Sequence, residues 1–505
     1  MQIGFPGKYQ PGRFLRQSLN MKSENDTYIN KQILKGSVIA LISNLGSRGF
    51  QIISRGLISR LTGVSGLGQF ELILSLTRWL ALIGQNGAHQ TIVQFVSSRK
   101  ANRNWNDITN IFIQSLLLVI ATTFSLLLLL WLVKDQVSDV LFEGYGSLDI
   151  VIIVIGLTVL LSLAHYLGSF FRGLKFFILD QVTNTAAFPV VGLVVFTYGY
   201  FIEKESFNLV DSFWIILFIY AGLIMAIFLF ALGYLISKVE KYTWKSFVSE
   251  ITGYSWPIWI NSILNATRAQ FSRLLIPIFS TTAELGYFSS AYAIAFLASI
   301  LNTSFTPVNQ TLVAEAYGKH DFAAINTIYN NILLKTSYFL IAGLGGILIF
   351  GKLIILIVYG AGFETAYTML VILALSEAVN SLAGPSGNVL LMTGNQKIST
   401  RIMFIGFITL AVLSLILIPF FGALGAAIAA ASSVIIINLQ RIYYLRVRLH
   451  VYADVKKLLR RNKHLMLLVI TTAIFKVLGL LPELYLLVVY GIIVTILIGR
   501  RFLKI

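Results

Sequence analysis

Residues 46–60 read GSRGFQIISRGLISR, between the apolar flanks KGSVIALISNL and LTGVSGLGQFELILSL. Arg48 and Arg55 thus fall inside a run that is otherwise apolar enough to cross a bilayer. A cation near the bilayer centre costs about 2.5–3.5 kcal/mol on insertion scales, so something must compensate it. A helix turns about 100° per residue, which puts Asn44, Arg48, Gln51, Arg55 and Ser59 on one stripe roughly 80° wide. The next apolar run repeats the pattern with Glu71, Ser75, Arg78, Gln85 and His89, and a later one with Asn261, Asn265, Arg268 and Ser272. A polar stripe on a membrane helix faces other helices or water, not lipid, so the three stripes are expected to share one cavity. Arg48, Arg78 and Arg268 lie near the middle third of their runs, and Arg55 and Arg273 nearer the outer end. The acids within the apolar runs are few: Glu71, Glu315 and Glu377. Such an excess of buried cation calls for a mobile anion or water, and a guanidinium can hold phosphate oxygens bidentately. Arg48, Arg78, Arg268, Arg55 and Arg273 are therefore candidate anion ligands. Asn44, Gln51, Gln85, His89, Asn261 and Asn265 are candidate polar lining.

Plainer roles compete for some of these residues. Glu71 and Arg55 sit at similar depth on consecutive helices, which suits an ion pair. Arg273 is about 120° off its stripe and near a helix end, a position that favours reaching along the helix to an interface. Lys335, Lys352 and Lys476 are expected to do the same. His89 suits helix packing better than proton carriage. Glu377, in LALSEAVNSLAGPSG, either titrates or caps a break at Gly384-Pro385.

The elements that must carry these residues follow from composition. The chain has 505 residues, 57% hydrophobic and only 12% charged, with a mean hydropathy of +0.80. A soluble domain carries about twice that share of charge, so the class is an all-α polytopic membrane protein. There are no cysteines, which excludes disulfides and thiolate chemistry, and the five histidines form no metal-binding pair. No Walker A loop or dinucleotide fingerprint is present, so an ATP-driven pump, an enzyme active site and a resident cofactor or metal are not expected. Residues 1–36 are basic without an apolar centre, unlike a secretory signal, and Met21 offers a second ordinary start after a weakly ordered extension.

Apolar runs predict about fourteen spans: 37–60, 68–95, 108–133, 149–171, 178–201, 212–236, 251–278, 285–314, 327–350, 366–392, 399–420, 423–447, 465–481 and 484–500. Turn signals separate them at LTGVSG, EGYGS and LLPE, and KLIILIVYG reads as a re-entrant piece or a helix extension. Basic residues collect on one side: the N-terminal tail, 99–103, 172–175, 238–245 and 441–463. The opposite loops hold Lys134 and Lys204 among Asp135, Asp139, Glu143, Asp149, Glu203, Glu205 and Asp211. Both termini are therefore expected in the cytoplasm, and the net charge of +18 sets topology rather than binding nucleic acid.

The two halves resemble each other at a nearly constant offset. LGQF at 67–70 matches LGYF at 285–288, Gln90-Thr91 matches Gln310-Thr311, Gly173 matches Gly394 and Arg48 matches Arg268. A six-helix duplication in parallel orientation has its pseudo-symmetry axis along the membrane normal. The expected organisation is a cytoplasmic segment 1–36, a first lobe 37–236, a linker 237–250 and a second lobe 251–447. A basic cytoplasmic loop 448–464 and a final helix pair with cytoplasmic tail at 465–505 complete it.

With these features the chain resembles Wzx-type O-antigen and polysaccharide flippases of the multidrug/oligosaccharidyl-lipid/polysaccharide exporter superfamily. The resemblance is carried by ILKGSVIALISNLGSRGF, by residues 61–98, by LGYFSSAYAI and by residues 355–397, within a 6+6+2 arrangement. It implies an inner-membrane protein, not an enzyme, that moves an undecaprenyl-diphosphate-linked oligosaccharide to the periplasmic leaflet by alternating access. It implies coupling to a proton or sodium gradient, with Glu71 and Glu377 as candidate coupling acids, and a diphosphate as the anion for the arginines. Membrane lipids and a polysaccharide polymerase or chain-length regulator are the implied partners. A peptidoglycan lipid-precursor flippase also carries a diphosphate lipid and is the nearest chemical alternative. A multidrug exporter of the same superfamily would favour twelve spans and an acidic cavity.

Overall fold

The computed structural model describes residues 11–101, 103–142, 148–299, 309–310 and 312–502; the side chains of 11–42, Asn44, Ala101, Pro257, Asn261, 298–299, Ile498 and 500–502 fall outside that description. Every regular element among the described residues is helical. In the first half these are α1 (Pro11–Gly84), α2 (Ala88–Ala101), α3 (Trp105–Leu132), α4 (Lys134–Leu141), α5 (Leu148–Gly173), α6 (Phe177–Gln181), α7 (Ala187–Phe201) and α8 (Leu209–Ile236). The second half has α9 (Val248–Phe279), α10 (Thr282–Ala295), α11 (Phe322–Tyr359), α12 (Ala366–Leu382), α13 (Ser386–Met392) and α14 (Gln396–Leu449). The chain then ends in α15 (Val455–Val477) and α16 (Glu483–Phe502). Seven of the described helices are long and apolar enough to cross a membrane, or eight if α12 and α13 form one bent span. Large apolar side chains such as Leu132, Phe201, Phe218, Phe420 and Val477 are exposed on the outside of the bundle, as lipid-facing residues must be. The protein is thus a multi-pass membrane protein.

Two of these helices are longer than any bilayer requires, because each contains a bend at a single glycine. α1 turns at Gly63 (φ 71°, ψ −164°), a conformation that costs a residue with a Cβ too much. The expected LTGVSG loop is therefore a one-residue hinge between two arms, which carry the first and second polar stripes. α14 turns at Gly422 (φ 52°, ψ −131°). There the Ala423 amide donates to Glu284 Oε2 at 2.8 Å, which places a carboxylate at the start of the second arm.

Several boundaries differ from the sequence expectation. The predicted span 68–95 is interrupted: α1 stops at Gly84, and Asn86 (φ 48°) and Gly87 (φ 69°) turn the chain into α2. The run 178–201 carries one turn of π-helix, Val182–Ala186, between α6 and α7. KLIILIVYG is not re-entrant but continues α11 to Tyr359. The break at Gly384-Pro385 is present, with a 41° bend between α12 and α13. The basic segment 448–464 is not a loop. α14 runs to Leu449 and α15 begins at Val455, where Asp454 accepts from the Lys457 amide at 2.9 Å. Helix also starts within the expected linker, at Val248, and within the expected N-terminal segment, at Pro11. The EGYGS turn and part of the predicted span 285–314 lie outside the described residues.

Two contacts recur at the offset of the internal sequence resemblance. The first is a strap. Asn106 and Asn110 on α3 grip the chain between α8 and α9: Asn106 Oδ1 accepts from the Thr243 amide at 2.9 Å, and Asn110 Nδ2 donates to the Thr243 carbonyl at 2.8 Å. Asn326 and Asn330 on α11, 220 residues later, do the same between α14 and α15. There Asn326 Oδ1 accepts from the Tyr452 amide at 3.1 Å, and Asn330 Nδ2 donates to the Tyr452 carbonyl at 2.9 Å. The second contact is between the halves. A Cβ at Gly68, of LGQF, would overlap the Thr282 carbonyl, and a Cβ at Gly286, of LGYF, would overlap the Val64 carbonyl. Ser65 and Thr282 share a 3.2 Å hydroxyl hydrogen bond beside them.

That closeness gives a prediction. Gly68→Ala sets a methyl against fixed backbone, so the halves must part there, at a cost of about 1–3 kcal/mol. The chain has no cysteine, so a Ser65→Cys/Thr282→Cys pair reports on this contact without background. Oxidative cross-linking is expected to be efficient with Gly68 and weak with alanine; equal yields would contradict the packing argument.

Candidate functional site, an arginine-lined cavity

All five candidate arginines converge on one cavity of about 480 Å³. The first arm of α1 supplies Arg48, Gln51 and Arg55, its second arm supplies Arg78, and α9 supplies Arg268 and Arg273. α10 contributes Tyr292, and Phe296 follows just beyond its end. His165 of α5 and Asn184 and Thr185 of the π-helical turn complete the polar wall. The wall holds no carboxylate among the described residues. The convergence follows from the helical period: each stripe leaves one face that cannot meet lipid, and packing turns those faces together.

Their partners divide the arginines. Arg55 is buried and donates through Nε to Glu71 Oε1 at 2.5 Å, with Gln51 Oε1 3.4 Å from its Nη1. Glu71 is fully buried and its Oε2 has no hydrogen-bond partner. This is the ion pair that the shared depth of the two residues suggested. Arg78 has neither a carboxylate nor a hydrogen-bond acceptor among the described residues. Arg268 Nε is buried without an acceptor among the described residues. Arg273 does not reach along its helix to an interface, as its angle suggested. It turns into the cavity, with Nη1 3.3 Å from Gln270 Oε1 and its guanidinium 4.6 Å from the Tyr292 ring centre. The 120° offset that took it off the α9 stripe aims it at α10. Arg48 is exposed to the cavity and lies 4.7 Å from the Phe296 ring centre.

The remaining candidates scatter. Gln51 lines the cavity. Gln85 is buried behind it, with Nε2 2.8 Å from His165 Nδ1. His89 lies past the Gln85–Gly87 turn, away from the cavity wall, and Asn265 is exposed on α9 outside it. Asn44 and Asn261 belong to helices whose backbone is described, but their side chains are not. Glu377 is buried, accepts from Asn380 Nδ2 at 3.1 Å and does not cap the break. It lines a side pocket of about 100 Å³ together with Ser272, Arg268 and Arg273, so it borders the cation set. Glu315 is exposed and pairs with Lys319 at 2.6 Å, so it is not a buried acid. Lys476, expected to reach an interface, instead donates to the Ile349 carbonyl and pairs with Glu483 at 2.5 Å.

Residues not foreseen include His165, Asn184, Thr185, Gln270 and Tyr292. The π-helical turn that offers Asn184 and Thr185 is anchored to the first stripe, where Ser47 Oγ donates to the Thr185 carbonyl at 2.7 Å. Such turns inside helices recur at functional sites. Arg441 is a further inward-facing arginine. Its Nη2 contacts Met403 Sδ at 3.3 Å, its Nε is buried without a partner, and Gly387 leaves the room it occupies.

The halves meet at both ends of this cavity. Toward the basic loops, Arg99 Nη2 donates to both oxygens of Glu250 at 3.0 and 3.1 Å, and Thr91 shares a 2.8 Å hydroxyl hydrogen bond with Ser255. Toward the acidic loops lie the Gly68–Gly286 contact and Ser59 Oγ, which donates to the Tyr359 carbonyl at 2.8 Å.

The chain is 22% identical over 413 residues to the probable low-salt glycan biosynthesis flippase Agl15 of Haloferax volcanii, covering 82% of this chain and 83% of that protein. Its fold is shared with the lipid II flippase MurJ in an inward closed conformation, with a TM-score of 0.63 at 14% identity, covering 92% of this chain and 99% of that one. It is shared also with an inward-facing multidrug resistance transporter of the MATE family and MOP superfamily, with a TM-score of 0.58 at 13% identity, covering 81% and 98%. Residues 33–310, more than half of the chain, match the family described as polysaccharide biosynthesis protein, and the chain belongs to that family.

Proposed function

We propose that the protein is a flippase that carries an undecaprenyl-diphosphate-linked oligosaccharide, an O-antigen or similar repeat unit, across the inner membrane to its outer leaflet. The observation that carries this reading is the cavity wall: five arginines from both halves and no carboxylate among its described residues. Arg55 has its own counter-ion, whereas Arg48, Arg78, Arg268 and Arg273 have no carboxylate within ion-pair distance among the described residues. A cavity of about 480 Å³ suits a diphosphate and its first sugar, with the isoprenoid chain left in the bilayer. Guanidinium groups recognise phosphate oxygens bidentately and stay charged whatever the local environment. The same wall repels the organic cations that a multidrug exporter would carry.

Transport follows as alternating access with both termini in the cytoplasm. Opening toward the cytoplasm breaks the Arg99–Glu250 and Thr91–Ser255 contacts; opening outward breaks those around Gly68 and Gly286. Release requires the cations to be answered by something other than the cargo. Glu71, with its free Oε2, and Glu377, in the side pocket, are the acids through which a proton or sodium gradient acts in this scheme. A leaflet-resolved assay in vesicles, with and without an imposed gradient, tests it. The expected result is gradient-accelerated translocation of a lipid-linked polysaccharide repeat unit. Faster movement of the peptidoglycan lipid precursor would instead make that lipid the cargo, and movement of neither would overturn the flippase reading.

A further inference from the structure

Tyr292 and Phe296, which line the cavity, are the last two steps of an aromatic ladder that begins at the buried Phe288. Phe288, Tyr292 and Phe296 recur every four residues, one helical turn apart, so they share a face. The Phe288 and Tyr292 rings are 5.9 Å apart, and those of Tyr292 and Phe296 are 6.0 Å apart and within 16° of parallel. Two guanidiniums rest on these rings: Arg273 at 4.6 Å from the Tyr292 centre and Arg48 at 4.7 Å from the Phe296 centre. The arginines come from different halves, α9 and α1, yet are seated on consecutive steps of one ladder.

This arrangement does two things that packing alone does not. The negative face of each ring offsets part of the repulsion between like charges confined in one cavity. Contact through the ring face also restrains each guanidinium in place while its N–H groups remain able to meet an anion. Spacing of the two cations is then set by the one-turn step from Tyr292 on α10 to Phe296 just beyond its end, not by their mutual repulsion.

We propose that Tyr292 and Phe296 are positioning residues that present Arg273 and Arg48 as a matched pair to the two phosphoryl groups of a diphosphate, and so set a preference for diphosphate over monophosphate cargo. The inference rests on the anion-binding reading of the cavity and adds its chemical selectivity. A monophosphate engages one step of the ladder, whereas a diphosphate spans both.

The test uses the full chain in nanodiscs of neutral lipid, titrated with radiolabelled inorganic pyrophosphate and orthophosphate. The wild type is expected to prefer pyrophosphate. Tyr292→Leu/Phe296→Leu keeps bulk but removes both ring faces, and is expected to weaken pyrophosphate binding by about tenfold while leaving orthophosphate nearly unchanged. Tyr292→Phe and Phe296→Tyr keep the faces and should retain the preference, which a simple loss of packing would not predict. If the double variant does not fold, the single leucine variants carry the same comparison. An intact preference in the leucine variants, or an equal loss for both anions, overturns the proposal. A wild type that binds neither anion overturns the cavity reading itself; one that binds both equally overturns only the ladder.

Discussion

Replacing Arg78 by alanine is expected to reduce transport of a lipid-linked oligosaccharide by about a hundredfold or more, without loss of folded protein. Arg78, like Arg268, has little local employment among the cavity cations. It has no ion pair and no hydrogen-bond acceptor among the described residues, and it faces the cavity from the second arm of α1. No hydrogen bond or ion pair among the described residues is lost when it is removed. A charge-assisted hydrogen bond is worth roughly 1.5–3 kcal/mol, and a bidentate contact makes two. Arg78→Lys keeps the charge but not the fork and should fall between the two. The measurement is the initial rate of leaflet exchange in proteoliposomes matched for protein content. Wild-type rates in the alanine variant would remove Arg78 from the binding site.

Glu71→Gln is expected to act on the fold instead, destabilising the protein by about 3–5 kcal/mol. The carboxylate is fully buried and sits 2.5 Å from Arg55, which is itself buried. Neutralising one member leaves the other charged in a low-dielectric interior, and that uncompensated charge dominates the cost. Arg55→Leu/Glu71→Leu removes both charges and should recover much of the loss. Thermal unfolding in a fixed detergent measures all three proteins. An unshifted melting temperature for Glu71→Gln would show that Arg55 finds another anion. Recovery of stability without transport in the double variant would separate the structural use of this pair from the proposed coupling role of Glu71.

The arginine-lined cavity was largely legible in the sequence because helical periodicity and membrane insertion constrain the same residues. Arg48, Arg55, Arg78 and Arg268 lie on stripes that a lipid-facing helix cannot tolerate, and the structure turns those stripes together. Arg273 shows the limit of that logic. Its angle on α9 was readable, but not that α10 would stand opposite it. Gln85 and His89 were placed on the α1 stripe by assuming an unbroken helix. The chain turns at Asn86-Gly87, a dipeptide that favours positive φ, and that signal was available in QNGAH. Arg441 was read with the basic loop because it follows an apolar run closely. Only the packing of Gly387 and Met403 against it shows that it faces inward. The bends at Gly63 and Gly422 fall where the sequence separates its apolar runs, at LTGVSG and between 420 and 423; that each bend is confined to a single residue was not legible, since helix resumes at once on both sides.

The paired glycines have a consequence for how such a chain can arise. Gly68 meets Thr282 and Gly286 meets Val64, so each surface recognises the image of itself, as in an isologous dimer. The asparagine straps are likewise complete within each half and borrow nothing from the other. A half-length ancestor would already have possessed the means to pair with its own copy. Fusion of two such genes would free the copies to diverge, so that arginines could be distributed unequally around a centre that a strict homodimer would keep identical on both sides.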